Sequence, residues 1–267
     1  MRKSLSLLAP LALGLLSAAY GAGAAQPGTV RGVALDSHGH PLKGALVWIM
    51  PSVAQGWVAP GVSNGVLQLH TDAKGQYVSP TLPDQPYNVY AWQRVKYAGQ
   101  TFCVPLAAEK EDGDDAFSAR AGAVRNFRWQ LTGEMQGQSH DNAYFGAEVR
   151  LMNGSWDGTS PMTRDSVVEL TLTPDGPLID GSAGKPLVRK VNFYDGFVYD
   201  LPVGHYRVAA AELGPGGTRT PLVLNGGSGA ERFQGTLDFQ AEGGPCGGYG
   251  GSNGVERAFI DLARVGE

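Results

Sequence analysis

The chain has 267 residues, a length that suits two domains of ordinary size behind a short leader. Its 39 glycines and 17 prolines, together with recurring short runs of Val, Leu and Tyr, favour short strands and many turns over helices. The net charge of −4 and the scattered lysines and arginines leave no basic patch, which argues against a nucleic-acid partner.

Residues 1–25 have the pattern of a secretory signal peptide. Met1-Arg2-Lys3 is a short cationic start, residues 5–19 are almost purely apolar, and small residues follow. The small side chains predict cleavage near Ala24 or Ala25. The apolar run is shorter than the roughly 20 residues that a membrane-spanning helix needs, and no other run is long enough. We therefore expect a secreted or periplasmic chain without a transmembrane anchor.

Residues 26–107 are predicted to form the first domain, an antiparallel meander. Hydrophobic alternation predicts its strands, and Asp, Gly and Pro mark the turns between them. The strands are expected at 29–35, 45–49, 66–71, 87–91 and 95–104, and the tight turns at 36–41 and 72–75.

This segment resembles the carboxypeptidase regulatory-like domain, a transthyretin-like (prealbumin-like) β-sandwich that is grouped with carbohydrate-binding-like sandwiches. The resemblance rests on glycines and prolines at turns and on alternating strand residues: Gly32, Asp36, Gly39, Pro41, Leu42, Gly44, Ala45, Val47, Thr71, Asp72, Gly75, Tyr77, Leu82, Pro83, Tyr87, Val89 and Ala91. It implies a β-sandwich that serves as a folding or binding accessory, with carbohydrate as the favoured ligand class. It implies no catalytic residues, because the regulatory domain is separate from the peptidase.

Two enzyme families share this sandwich. Intradiol ring-cleaving dioxygenases hold iron with two Tyr and two His, the His pair lying downstream as His-x-His. After Tyr87 this chain has only His140 and His205, which lie far apart. Hydroxyisourate hydrolases end in Tyr-Arg-Gly-Ser, whereas this chain ends Arg264-Val265-Gly266-Glu267. Both activities are therefore disfavoured.

Residues 108–122 are predicted to be an acidic linker. They include the run from Glu109 to Asp115, which we expect to be a solvated connection. Calcium binding stays open there, because Asp and Glu oxygens are the ligands that Ca²⁺ takes.

Residues 123–267 are predicted to form a second β-sandwich, because strand signals resume and no window keeps a helical period. The strands are expected at 126–132, 147–152, 167–173, 197–199, 201–210, 220–224, 233–239 and 257–265. Part of this half resembles the first half at a constant offset of 119 residues (201 minus 82, 206 minus 87). The matching residues are Leu82, Pro83, Tyr87, Val89 and Ala91, with Leu201, Pro202, Tyr206, Val208 and Ala210. Alternation alone allows other sandwich topologies, so a true repeat stays an open alternative.

Cys103 and Cys246 are the only cysteines, and an even pair in an exported chain predicts a disulfide. The Gly-rich run 243–254 lacks the Lys-Ser/Thr pair and the following helix of a phosphate loop. We predict that it is a loop held by Cys246.

No pattern of catalytic or metal-binding residues emerges. His38 and His40 flank a glycine in a predicted turn and have no third ligand, so neither a metal nor another cofactor is expected. The chain has no Gly-x-Ser-x-Gly elbow and no His-Glu-x-x-His zinc motif.

Aromatic residues in polar or Gly-rich loops are the candidates for ligand contact. Trp57, Trp156 and Tyr249 are predicted to contact a ligand, since exposed rings can stack on sugars or anchor a protein. Trp48, Trp92 and Trp129 are instead expected in the sandwich cores.

The sequence thus predicts an all-β, non-catalytic, extracytoplasmic binding protein with two sandwiches. Carbohydrate is the favoured ligand. The main alternative is a structural or assembly module that binds another envelope protein, and a dioxygenase-like metalloenzyme is third. Nothing in the sequence indicates an oligomeric state.

Overall fold

A computed structural model describes residues 24–52, 65–110, 113–135, 144–153, 162–224, 232–246 and 253–264. Within these ranges the regular structure consists of β-strands and one short 3-10 turn at Pro215–Gly217. No helix in the described ranges is long and apolar enough to cross a membrane. The strands are β1 (Val30–Leu35), β2 (Leu46–Pro51), β3 (Leu67–His70), β4 (Gln76–Val78), β5 (Pro86–Tyr97), β6 (Gln100–Pro105), β7 (Ala107–Ala108), β8 (Phe117–Ser118), β9 (Ala123–Val124), β10 (Phe127–Arg128), β11 (Ala147–Asn153), β12 (Val167–Pro174), β13 (Leu187–Asn192), β14 (Phe197–Leu201), β15 (His205–Leu213), β16 (Arg219–Pro221), β17 (Val223–Leu224), β18 (Gly235–Asp238) and β19 (Ala258–Ala263).

The first ten strands form two sheets, which together make the first sandwich. Sheet A has the order β4-β1-β10-β7, and β9 also pairs with β1. Sheet B has the order β3-β2-β5-β6, and β8 also pairs with β5. Both sheets turn their apolar side chains toward a shared core, in which Val30, Val47 and Phe127 are fully buried. The predicted all-β sandwich fold is confirmed.

Three short strands lie within or just beyond the linker predicted at residues 108–122. Strand β8 lies inside the predicted acidic linker but is hydrogen-bonded to β5. Strands β9 and β10 lie beyond residue 122 but run parallel to β1. Each of these strands has only two residues, which is too short to give an alternating pattern. Within the strand predicted at 126–132, β10 pairs with β1 and β7 of sheet A.

Strands β11–β19 form the second sandwich with the same connections as the first. Sheet C has the order β14-β11-β19-β17, and sheet D has the order β13-β12-β15-β16 with β18 beside β15. Strands β11–β16 thus take the places of β1–β6, while β17, β18 and β19 take those of β7, β8 and the β9–β10 pair. The parallel pairing of β1 with β9 and β10 recurs as the parallel pairing of β11 with β19.

The two sandwiches also share their registers. In β5, the residues Tyr87, Val89 and Ala91 lie opposite Pro51, Ile49 and Val47 of β2. In β15, the residues Tyr206, Val208 and Ala210 lie opposite Pro174, Leu172 and Leu170 of β12. Just beyond, the Leu106 amide donates to the Ala91 carbonyl at 2.8 Å, and the Leu222 amide to the Ala210 carbonyl at 2.9 Å. The similarity seen in the sequence is therefore part of a repeated topology.

A close approach of two backbone segments explains one glycine of the first sandwich. A Cβ atom at Gly32 would lie 1.7 Å from the carbonyl oxygen of Arg125, between β9 and β10. The Tyr77 hydroxyl donates to the same oxygen at 2.7 Å, and the Asn126 side-chain oxygen accepts from the Val33 amide at 3.1 Å. Only glycine leaves room for this junction beside β1.

Candidate functional site

The predicted ligand contacts Trp57, Trp156 and Tyr249 lie outside the described residues, so their role stays a prediction. The three tryptophans that were expected in the cores differ in their burial. Trp129 is buried, as expected. Trp48 and Trp92 are only half-buried and face away from the core, because their neighbours Val47 and Ala91 point inward. The prediction for these two was wrong, since alternation along a strand puts consecutive residues on opposite faces.

The two histidines of the first turn are held by local contacts. One Asp36 carboxylate oxygen accepts hydrogen bonds from the amides of His38 at 2.9 Å and His40 at 2.7 Å. The Ser37 hydroxyl donates to an Asp180 oxygen at 2.7 Å and so links the turn to the second sandwich. Among the described residues, no group of three or more His, Cys, Asp or Glu side chains could hold a metal ion. The contact that the structure shows for this turn is therefore the one from Ser37 to Asp180.

Asp180 is adapted to this contact. Burial alone would raise its pKa, but hydrogen bonds from Ser182 and Ser37 outweigh burial and lower the pKa below its usual value. The carboxylate therefore stays charged and keeps accepting these bonds in mildly acidic conditions.

The predicted disulfide is present and joins the two sandwiches. Cys103 in β6 is bonded to Cys246, which follows β18, with 5.4 Å between their Cα atoms. Gly254, at the end of the glycine-rich run, packs closely against β6, because a Cβ atom at this position would lie 1.9 Å from the Cys103 carbonyl oxygen. The β5–β6 hairpin is therefore bonded and packed against the second sandwich.

Hydrogen bonds from the same hairpin reinforce the disulfide. The Tyr97 hydroxyl donates to the Pro177 carbonyl at 2.9 Å. The Gln100 side chain accepts from the Ala241 amide at 2.9 Å and donates to the Phe239 carbonyl at 3.4 Å. The sequence pattern instead predicted one strand over 95–104, whereas the chain turns at residues 98 and 99, where Ala98 has a φ of 47°.

A second set of contacts holds the connection between the sandwiches. Asp200 in β14 has a φ of 61°, in the left-handed region. Its carboxylate accepts from the amides of Gly133 at 2.8 Å and Gly146 at 3.2 Å. The Asn253 side-chain Nδ2 donates to the Gly146 carbonyl at 2.6 Å. Each of these three bonds has a main-chain group of Gly133 or Gly146 as one partner. The connection between the sandwiches therefore depends on backbone positions more than on long side chains.

Each sandwich has an open groove at the same place in the repeat, where its two edge strands face each other. The first groove lies beside β3 and β4 and has a volume of about 470 Å³. The second groove lies beside β13 and β14 and has a volume of about 580 Å³. The first is lined by Arg31, Gly32, His70, Asp72, Gln76, Tyr77 and Val78. The second is lined by Lys190, Val191, Asn192, Tyr194, Asp195, Phe197 and Tyr199.

Aromatic rings form a ladder along the second groove. The rings of Phe197 and Tyr199 are 5.6 Å apart between centroids and inclined by 17°, and those of Tyr199 and Tyr144 are 5.7 Å apart and inclined by 29°. Phe197 and Tyr199 alternate with the buried Val198, so both lie on the outer face of sheet C.

Arginines lie over Phe197, which belongs to this ladder, and over Tyr194, which lines the same groove. The guanidinium carbons of Arg150 and Arg257 are each 5.0 Å from the Phe197 centroid, and that of Arg164 is 4.6 Å from the Tyr194 centroid. Such distances allow cation–π attraction. The second groove therefore combines aromatic rings with guanidinium groups.

The sequence pattern did not identify this site. Residues 197–199 were predicted as a strand, and their alternation around Val198 already places two aromatic rings on one outer face. Strand β13 was not predicted, because its Arg189-Lys190 pair interrupts the hydrophobic run.

Comparison with known protein families gives no match, and no curated protein sequence matches either. Among solved structures, the chain is similar to the Bacillus anthracis TIE protein, with 15% identity and a TM-score of 0.32 over 89% of this chain and 34% of that one. A streptococcal ancillary pilin gives 14% identity and a TM-score of 0.25 over 90% and 62%. A DUF3823 family protein from Bacteroides uniformis gives 9% identity and a TM-score of 0.23 over 80% and 99%.

The chain thus spans about a third of the TIE protein and 62% of the ancillary pilin. Identities and TM-scores this low carry no argument about function. The resemblance to the carboxypeptidase regulatory-like domain is not confirmed as family membership. The class that the strands themselves define is an all-β protein built from two β-sandwiches.

Proposed function

We propose that the chain is an exported, non-catalytic module that binds another protein of the cell envelope. The observation that carries this proposal is the pair of sandwiches with one topology, held together by the Cys103–Cys246 disulfide and by main-chain hydrogen bonds. Such a joint keeps two surfaces in a set arrangement, and it leaves the edge grooves open to partners. This is the architecture expected of a structural or assembly module.

Export is supported by two independent features. Residues 1–25 have the pattern of a signal peptide, and they lie almost entirely outside the described residues. The disulfide requires an oxidising compartment to persist, which fits the periplasm or the cell exterior.

The surface chemistry of the second groove favours a protein partner. Arginine and aromatic side chains are the types that carry most binding energy at protein interfaces. Here three arginines lie over aromatic rings that line or adjoin a single groove.

Carbohydrate is the second candidate, because Tyr144, Tyr199 and Phe197 offer a row of three rings. The rings stack on one another, however, so their faces are partly occupied. On sheet B, the Trp48 and Trp92 rings are inclined by 61° and form no common plane for a sugar. For these reasons we favour a protein partner over a glycan.

We also propose that the domain boundary lies between β10 and β11, because β8, β9 and β10 belong to the sheets of the first sandwich. The second sandwich then begins with β11.

Crosslinking in the intact envelope, followed by mass spectrometry, tests the proposed function. We expect one reproducible protein adduct. A glycan array probed with the mature protein and with Trp57→Ala and Trp156→Ala variants is the counterpart. Glycan binding that these substitutions abolish, without any protein adduct, would replace the protein partner with a carbohydrate. Stoichiometric iron or zinc in purified protein would contradict the non-catalytic assignment.

A further inference from the structure

We propose that the second groove binds an extended acidic segment of the partner protein. Its carboxylates would pair with Arg150 and Arg164, and its apolar side chains would lie against the exposed side chains of Tyr194 and Phe259. This inference rests on the proposed function and adds the place of binding and the chemistry of the partner.

Large apolar side chains are exposed in and around the second groove. Tyr194 is 61% exposed, and Phe259 on the outer face of sheet C is 58% exposed. Phe197, Arg150 and Phe259 are cross-strand neighbours on β14, β11 and β19, so they form one row across the sheet. Exposed apolar side chains that cluster beside a groove mark an interaction surface more often than isolated ones do.

The charges of this surface are only partly neutralised within the chain. Arg257 pairs with Glu148, and Lys190 lies 4.0 Å from a Glu169 oxygen. Arg150 and Arg164 are both exposed, and neither forms an ion pair with any residue that the structure describes. A guanidinium that lies over a ring keeps its N–H edges available, and these edges fit a carboxylate with two parallel bonds. Arg150 and Arg164 lie over Phe197 and Tyr194, two rings of the groove lining, which also carries one exposed acid, Asp195. Two such guanidinium groups beside one groove favour a ligand with several carboxylates.

The strands beside the groove favour a polypeptide over an acidic polysaccharide. β13 pairs only with β12, and β14 only with β11, among the described strands. Each is a sheet edge, with main-chain groups on its outer side that an added strand could bond. An extended peptide can use these groups and the arginines together, whereas a polysaccharide has no regular row of amides.

The first groove provides an internal comparison. It occupies the same position in the repeat and carries Asp72, whose carboxylate accepts from the amides of Lys74 at 2.8 Å and Gln76 at 2.9 Å. The Arg31 guanidinium there donates to Gln26. Both grooves thus carry one acidic side chain, Asp72 in the first and Asp195 in the second. The single arginine of the first groove is already engaged, so we expect this groove to bind acidic peptides more weakly than the second.

Fluorescence anisotropy with the oxidised, mature protein tests this inference. The probe is a labelled ten-residue peptide that alternates glutamate and leucine, and the control peptide has glutamine for glutamate. We expect saturable binding of the acidic peptide that weakens with added salt, and at least tenfold weaker binding of the control. The Arg150→Gln/Arg164→Gln variant should raise the Kd for the acidic peptide at least tenfold.

A matched variant controls for the loss of two charges. Arg94→Gln/Lys96→Gln removes two exposed cations from β5, and it should leave the Kd within about twofold. Near-UV circular dichroism checks that both variants fold.

Absent binding, equal binding of both peptides, or an equal loss in both variants would overturn the inference. Saturable binding of polygalacturonate, without binding of the acidic peptide, would mean that the groove takes an acidic polysaccharide and not a peptide. If envelope crosslinking still captures a protein while the peptide fails, the proposed function stands and its placement in this groove falls.

Discussion

Replacing Cys103 and Cys246 with alanine should lower the free energy of unfolding by up to about 5 kcal/mol. The disulfide spans a sequence separation of 143 residues. For a loop of that length, the chain-entropy relation gives about 17 cal/mol/K of entropy removed from the unfolded chain, or about 5 kcal/mol at 25 °C. The value is an upper limit, because it requires both sandwiches to unfold in the same transition.

The packing contribution can be separated from this entropic one. Cys246 is only 3% exposed, so alanine at this position also leaves a small cavity. Reduction of the native protein opens the loop without deleting the sulfur atoms. We therefore expect the reduced protein to lose slightly less stability than the alanine variant.

Urea unfolding followed by tryptophan fluorescence and by far-UV circular dichroism measures both effects. The comparison uses the oxidised protein, the reduced protein and the double alanine variant at one pH and temperature. A stability loss below about 1 kcal/mol would refute the reasoning, because the loop constraint alone predicts several times more. Non-reducing mass spectrometry that found two free thiols in the native protein would remove its basis.

Three further predictions concern the fold. Gly32→Ala should cost about 3 kcal/mol or more because its Cβ would overlap a carbonyl oxygen, whereas Gly44→Ala, whose Cβ meets open space at a positive φ, should cost only about 1 kcal/mol. Glu212 has a pKa below its ordinary value of 4.5 because a neighbouring arginine donates hydrogen bonds to it, so its stabilising effect is complete above that pH and is lost as the pH falls through the lowered pKa. The stability advantage over Glu212→Gln should therefore shrink between pH 6 and pH 3. A fragment of residues 26–131 should unfold cooperatively, whereas 26–107 should not, because it lacks the buried aromatic residues of β8 and β10.

Each of these has a clear contrary result. Equal stability losses at the two glycines, from urea unfolding, would mean that the carbonyl contact is unimportant. A difference between wild type and Glu212→Gln that stays constant with pH, from thermal melts, would contradict the lowered pKa. A cooperative transition in the shorter fragment, by circular dichroism, would show that the first sandwich does not need β8–β10.

Local patterns were sufficient to predict most antiparallel strands. Tyr87 and Tyr206 begin the same alternation, and the prolines opposite them complete the same register in both sandwiches. The parallel pairing of β1 with β9 and β10 joins residues more than 90 positions apart, so no local pattern announces it. Gly32 lies within the strand predicted at 29–35 and belongs to the family resemblance, but its need for glycine comes from that distant pairing.

The candidate site was harder to predict for the same reason. Phe197 and Tyr199 could have been assigned to an outer face from their alternation with a buried valine. The placement of Arg150 over Phe197 depends on pairing between β11 and β14, and that of Arg164 over Tyr194 on the packing of two separate turns. The sequence pattern therefore favoured the loop residues Trp57, Trp156 and Tyr249 over the aromatic and arginine side chains at this sheet edge.

Site-specific photocrosslinking in the intact envelope tests the central claim most directly. A benzophenone amino acid is placed at position 194 in the second groove or at position 78 in the first, where the native Tyr194 and Val78 are both exposed. We predict a discrete protein adduct from position 194, none from position 78, and loss of the adduct in the Arg150→Gln/Arg164→Gln background. The absence of any protein adduct from either position, with the protein correctly exported and oxidised, would contradict it.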